Sequence, residues 1–289
     1  MRDDKVRTGI EARLLRALAR PPFDDALGRK GLFERFTRAQ PHRVHHLPIT
    51  VPGWPQWQRP LRIVYLSDLH LGSHAGDVTR LEAIVAEAAQ YRPDLALHGG
   101  DNVNMQPFGG GRVPPHVTAT ILARLTAAAG RFAVLGNHDY TYGPRDIAEA
   151  LRHNGITVLD DDLCSVEHEA HAVHIVGLPD ARATRVRGLK LIRSLAAQPT
   201  LVLAHDPAWF AHLPLGPHLM LAGHTHGGQV RLPGIGIVTN ASKAPLRWSH
   251  GLVNEGGRQL YVTAGLGTSG VPLRVGVPPE YAVLDINGG

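Results

Sequence analysis

Cysteine is nearly absent: Cys164 stands alone in 289 residues. No disulfide can therefore close within the chain, and zinc sites built on several thiolates are excluded. No apolar run reaches the roughly 18 residues that a membrane-spanning helix needs. The opening MRDDKVRTG mixes acidic with basic side chains and has no apolar leader core, so cytoplasmic residence is the expectation. Aromatic residues make up only 6%. No platform of aromatics interleaved with Lys and Arg is present, which argues against nucleic acid as a partner despite a formal charge of +5.

What the chain does contain is 43% hydrophobic residues, 32 glycines and 22 prolines, the composition of a loop-rich α/β domain with a sizeable core. Histidine is unusually frequent, at 18. The positive charge is concentrated at the start, where residues 1–60 hold 12 Lys and Arg against 6 Asp and Glu. Within that segment Ile10, Leu14, Ala17 and Leu18 share one helical face among arginines, so residues 10–20 are expected to be a basic helix. Such a helix either packs on the domain or makes peripheral contact with a membrane surface. The proline-rich stretches PPFDD and TVPGWPQWQRP then interrupt any helix. The expected division is a basic N-terminal extension and linker over 1–60 and a catalytic domain over 61–289.

From Leu61 onward strand-like and helix-like runs alternate. LRIVYLSDLH is a short β-rich run ending in polar residues, DVTRLEAIVAEAAQYRP has helical periodicity and stops at Pro93, and DLALHGGD reads as a second strand. HVTATILARLTAAAG is predicted helical, RFAVLGNHD a strand with its loop, and GPRDIAEALRHNG a helix with Pro144 near its start and Gly155 past its end. AVHIVGLPD, TLVLAHD, HLMLAGHTH, QLYVTAG and YAVLDI are further strands.

Five of these apolar runs end in one kind of chemistry: Asp68 with His70, Asp101, Asn137 with His138 and Asp139, His205, and His224 with His226. Singly, each is an ordinary turn residue or strand-end histidine. Jointly they point to convergence, because residues leaving the carboxyl ends of strands in an open α/β sheet meet in space. Asp, Asn and neutral His are oxygen and nitrogen donors suited to Mn, Fe or Zn. A carboxylate has two oxygens and bridges two cations about 3.5–4 Å apart in two-metal hydrolytic sites; Asp101 is the natural bridge. On an extended backbone, residues i and i+2 of D-x-H and H-x-H point the same way.

SDLHLG, GGDNV, LGNHDY, LAHDP and AGHTHGGQ follow the order of the D-x-H, G-D, G-N-H-D, H and G-H-x-H motifs. On these, the chain from Leu61 to its C-terminus resembles the calcineurin-like metallophosphoesterase superfamily. VTAGLGTSGVPLRVGVPPE is further similar to the tail of that superfamily's small bacterial phosphodiesterase branch. The resemblance implies an α/β fold, a four-layer αββα sandwich of two mixed β-sheets flanked by helices. It implies two divalent ions per chain, one on Asp68, His70 and His226, the other on Asn137, His205 and His224, with Asp101 bridging. It further implies a metal-bridging hydroxide that attacks a phosphodiester or pyrophosphate in line, with His138 near the phosphate or leaving group and Asp139 orienting it.

Thr268, Ser269 and Arg274 are candidate substrate contacts, since Arg pairs bidentately with phosphate; a loop that merely closes the sandwich is the other reading. The substrate is expected to be a small-molecule phosphoester or a lipid-linked molecule. Relatives of the branch that cleave the pyrophosphate of UDP-diacylglucosamine suggest the latter, with residues 10–20 touching the inner membrane. A nuclease and a non-catalytic interaction module are the readings of another class; the second is expected to lack ligands that this chain possesses. Oligomeric state is not legible in the sequence.

Overall fold

The computed structural model describes residues 39–105, 111–180, 182, 183 and 186–289; the expected basic helix over 10–20 lies outside them. β1 (Arg43–Val51) precedes β2 (Leu61–Leu66), which leads through α1 (Asp77–Ala89) to β3 (Leu95–His98). The chain continues through α2 (Pro115–Leu122) to β4 (Gly130–Ala133), and through α3 (Asn137–Tyr142) and α4 (Pro144–His153) to β5 (Thr157–Val158). β6 (Asp162–His168) and β7 (His171–Gly177) form a hairpin; α5 (Gly188–Ser194) then leads to β8 (Thr200–Leu203), and a 3-10 turn over Pro207–His212 leads to β9 (His218–Ala222). β10 (Arg231–Leu232), β11 (Gly236–Ile237), β12 (Gly251–Glu255), β13 (Arg258–Val262) and β14 (Glu280–Gly288) follow.

Two six-stranded sheets result, in the orders β1-β14-β2-β3-β4-β5 and β12-β13-β9-β8-β7-β6. Both are mixed. β2 to β5 run parallel and β14 antiparallel to β2, while β7, β8, β9 and β13 run parallel between antiparallel β6 and β12. Side-chain alternation along each central strand makes the layers. In β2, Leu61, Ile63 and Tyr65 pack between the sheets, whereas Val64 and Leu66 face Leu81, Ile84, Val85 and Ala88 of α1. In β8, Leu201 and Leu203 enter the space between the sheets, and Val202 packs outward with Ile192, Trp209, Phe210 and Trp248. The four-layer sandwich thus follows from strands that are apolar on both faces. Each fully buried Leu or Ile side chain contributes roughly 1.5–3 kcal/mol.

The domain begins earlier than the proline-rich linker suggested. β1 pairs in parallel with the whole of β14, and Ile49, Val51, Trp54 and Trp57 lie in the core between the sheets. The boundary expected at Leu61 is therefore corrected to a point before Arg43. Pro48 is tolerated inside β1 because the strand is at the sheet edge, where one row of ladder donors has no partner to lose.

Candidate active site

β2, β3, β4, β8 and β9 release their chains at the same end of the sandwich, and the loops that follow are stitched together by main-chain bonds. Asp68 N–H donates to Gly100 O at 3.0 Å, His70 N–H to Asp101 O at 2.9 Å, and Gly223 N–H to His205 O at 3.0 Å. Asp68, His70, Asp101, His224 and His226 all have left-handed φ, between 40° and 66°. This corrects the expected extended alternation: the D-x-H and H-x-H pairs are aimed inward by a strained backbone that costs about 1–3 kcal/mol per residue. Close approach supplies the glycine requirement. A Cβ on Gly136 would stand 2.1 Å from Asp101 Oδ1, and one on Gly223 2.2 Å from Asp68 Oδ2.

Two groups of donor atoms meet there. Asp68, His70 and His226 place one ligand atom each within 4.8 Å of one another, as do Asp101, His205 and His224. In the first group His70 Nε2 is 3.1 Å from His226 Nε2, and His226 Nε2 is 3.5 Å from Asp68 Oδ1. Ser67 Oγ donates to Asp68 Oδ2 at 2.7 Å, and His224 N–H donates to both Asp68 oxygens. In the second group His205 Nε2 lies 3.2 Å from Asp101 Oδ2, from Asn137 Oδ1 and from His224 Nδ1. His205 Nδ1 is 2.7 Å from Gly99 O; donating there, it leaves Nε2 to face the centre, as metal-ligating imidazoles are oriented. Asp101 joins the groups. Its Oδ2 is also 3.4 Å from His70 Nε2, and its Oδ1 accepts the His138 N–H at 2.8 Å.

His138 stands at the mouth, half-buried, with Nε2 4.0 Å from Asp101 Oδ2 and 3.3 Å from Ser269 Oγ. It also makes a compact group with His70 and Asp101. Asp139 braces the turn that carries His138. Its carboxylate accepts Gly136 N–H, Asn102 N–H and Asn102 Nδ2–H, tying the loop after β3 to the turn before α3. Asn102, the residue beside Asp101 in GGDNV, was the missed signal. Of the C-terminal candidates, only Ser269 reaches the mouth. Thr268 is wholly buried, and the Arg274 guanidinium is buried against the carbonyls of Ala264, Gly265, Gly267 and His226. Of the two readings the sequence left open for Arg274, these contacts fit the loop that closes the sandwich, because main-chain carbonyls occupy its donors.

Electrostatics suit cations. Burial lowers His70 to about 3, and burial with His70 alongside lowers His226, so both rings are neutral near pH 7. Burial would raise Asp101, but His205 and His138 beside it hold the carboxylate well below its usual range. Burial also opposes charge on His205, yet Asp101 outweighs it and pushes His205 up to about 10. Burial and the nearby Asp101 charge raise Asp139 to about 7. Neutral rings at His70 and His226, an anionic Asp101 and a His205 that gives up its proton to a cation, backed by glycines where a Cβ would collide, fit divalent metal ions.

A cavity of about 750 Å³ opens from the second group, with His205 and His224 in its lining beside Trp209, Trp248, Arg182 and Lys243. Arg182 is bidentate to Asp180, at 2.7 Å for both contacts. None of these four cavity residues was a candidate in the sequence, because they come from three separate loops with no spacing pattern.

Comparison with known proteins bears on the same segment. The sequence model of the family described as calcineurin-like phosphoesterase matches residues 61–228. Phosphodiesterase YaeI of Escherichia coli is 33% identical over 256 residues, covering 81% of this chain and 89% of that protein. An uncharacterized metallophosphoesterase of Bacillus subtilis, YkoQ, is 29% identical over 236 residues, covering 79% and 84%. Among solved structures, the NAD nucleotidase of Haemophilus influenzae aligns with a TM-score of 0.46 at 14% identity, over 70% of this chain and 44% of that one.

Proposed function

The chain belongs to the calcineurin-like phosphoesterase family and is a metal-dependent phosphoester hydrolase, and from that premise we propose that it is a phosphodiesterase working with two divalent cations. The observation that carries this reading is the Asp101 carboxylate, a single oxygen of which faces His70 at 3.4 Å on one side and His205 at 3.2 Å on the other. Asp68, His70 and His226 would hold one cation, Asn137, His205 and His224 the second, and Asp101 would serve both. When bound, such a pair supplies Lewis acidity toward phosphoryl oxygens and an ionised water at neutral pH; Mn, Fe and Zn all suit these donors.

The protein's own groups do the rest. His138 Nε2, at the mouth beside Ser269 Oγ, donates a proton or hydrogen bond toward the departing oxygen, a role worth about 10²–10⁴-fold. Ser269 positions that ring. Asp139 and Asn102 hold the His138 turn against Asp101. The cavity takes the group attached to phosphorus on the His205 side, with Trp209 and Trp248 as apolar wall and Lys243, Asp206 and the Arg182–Asp180 ion pair as its polar lining. The name of the Escherichia coli relative supports a diester over a monoester.

A second reading, hydrolysis of a lipid-linked pyrophosphate, is favoured by one observation. Ile235, Val238, Val271 and Leu273 are exposed apolar residues on two segments joined where Arg231 N–H donates to Val275 O, and Gln229 binds that same tail at Ser269 and Val271 beside the mouth. No helix among the described residues is long and apolar enough to cross a membrane. The deciding experiment is hydrolysis of an aryl phosphodiester and its monoester by metal-stripped protein with and without Mn²⁺, alongside a nucleotide-diphosphate lipid presented in detergent. Mn²⁺-dependent cleavage of the aryl diester alone supports the first reading. Cleavage confined to the lipid supports the second, and cleavage of the monoester alone refutes both.

A further inference from the structure

We propose that His45, His250 and Glu280 form an additional divalent-cation site, suited to Zn²⁺, outside the centre that contains Asp101. The three residues come from β1, the residue before β12, and the first position of β14, and their ligand atoms lie within 4.8 Å of one another. His250 Nε2 is 2.9 and 3.0 Å from the two Glu280 oxygens, and His45 Nε2 is 3.4 Å from Oε2. The carboxylate is buried, whereas the side chains of His45 and His250 are 38% and 29% exposed, which leaves a path of entry.

Glu280 is braced as a metal-ligating carboxylate is. Glu280 Oε1 accepts Ala264 N–H at 3.0 Å and Thr263 Oγ1–H at 3.2 Å, so Oε2 is held between the two imidazoles. Hydrogen-bonded carboxylates orient themselves toward a metal in this way. An ion pair alone explains less. One protonated histidine would satisfy Glu280, yet a second ring stands with its centroid 5.5 Å from the first and Nε2 turned to the same oxygen. Two imidazoliums at that separation repel, while one cation replaces both protons. Two nitrogens, one carboxylate and a solvent-facing fourth position match an open Zn²⁺ site, with no thiolate required.

The position gives such a cation structural leverage. Glu280 N–H donates to Gly265 O at 2.9 Å, and Gly267 N–H two residues on donates to Asp68 O at 2.6 Å. A cation at Glu280 therefore pins edge strand β1 to the loop packed behind Asp68.

The test is equilibrium dialysis of the full chain against Zn²⁺, with bound metal counted for wild type, His45→Gln and His250→Gln. The site predicts close to one equivalent fewer in each variant at a free Zn²⁺ that just saturates wild type, corresponding to affinity weakened about a hundredfold or more. Diethylpyrocarbonate labelling of the unaltered protein, read by peptide mass at His45 and His250, decides the matter where a variant does not fold. Zn²⁺ should suppress labelling at both rings. Equal Zn²⁺ content in wild type and folded variants, or labelling at both rings that Zn²⁺ leaves unchanged, overturns the site. Both readouts concern these two imidazoles, so their outcome is independent of whether a phosphodiester is cleaved.

Discussion

The two halves of the candidate centre are built from similar residues but differ in access. Asp68, His70 and His226 are buried, and burial keeps the two rings neutral. On the other side Asn137 and His224 are half-buried, and His205 and His224 line the cavity. There His205 is pushed up to about 10 by Asp101 against the opposing effect of burial. The sealed half thus meets a cation with its lone pairs ready; the open half must first release a proton. If the proposed pair of cations is bound, the buried half is expected to release its cation more slowly than the half that opens to the cavity.

The comparison breaks most completely at Asp101, which belongs to both halves. Asp101→Ala is expected to lower diester turnover by about 10³-fold or more, since several kcal/mol of stabilisation is lost at tenfold per 1.36 kcal/mol. Metal content should fall with it. Turnover within tenfold of wild type would mean that the halves act separately. His138→Ala should lower kcat by about 10²–10⁴-fold while metal content stays at the wild-type value. Metal loss there would instead move His138 into the ligand set with His70 and Asp101.

The asymmetry itself is read by chelation. Cation release into excess chelator should be biphasic, and His224→Ala should abolish the fast phase and spare the slow one; a single phase in wild type would erase the distinction. The last effect is in pH. Because the folded-state pKa of His205 is raised, to about 10, its ion pair with Asp101 stabilises the metal-free fold fully below about pH 6.5 and is lost as pH rises toward 10. Cation affinity of the open half therefore climbs with pH across that window, by about tenfold per unit when one proton is displaced. Calorimetry in buffers of different ionisation enthalpy should count about one proton released; none would place that proton elsewhere.

Much of this was legible along the chain. The alternation of strand-like and helix-like runs announced an α/β domain, its two sheets came from the family resemblance, and polar residues clustered after β2, β3, β4, β8 and β9 because ligands gather at carboxyl ends of parallel strands. β1 was not legible, since Pro48 and alternating half-exposed residues disguise an edge strand whose partner lies at the other end of the chain. Arg274 misled for a related reason. An arginine in a glycine-rich loop reads as a phosphate contact, and only packing reveals the surrounding carbonyls that occupy its donors.

By itself the sequence determined the donor chemistry and the order of the strand-end motifs, because residue type sets which atoms can bind a cation and local periodicity sets where strands stop. Tertiary structure alone decided how those atoms meet: which backbone turns are left-handed, which oxygen of Asp101 faces both halves, and which half opens to solvent. It also brought His45, His250 and Glu280 together. Those are relations between segments distant in sequence, and long-range packing establishes them.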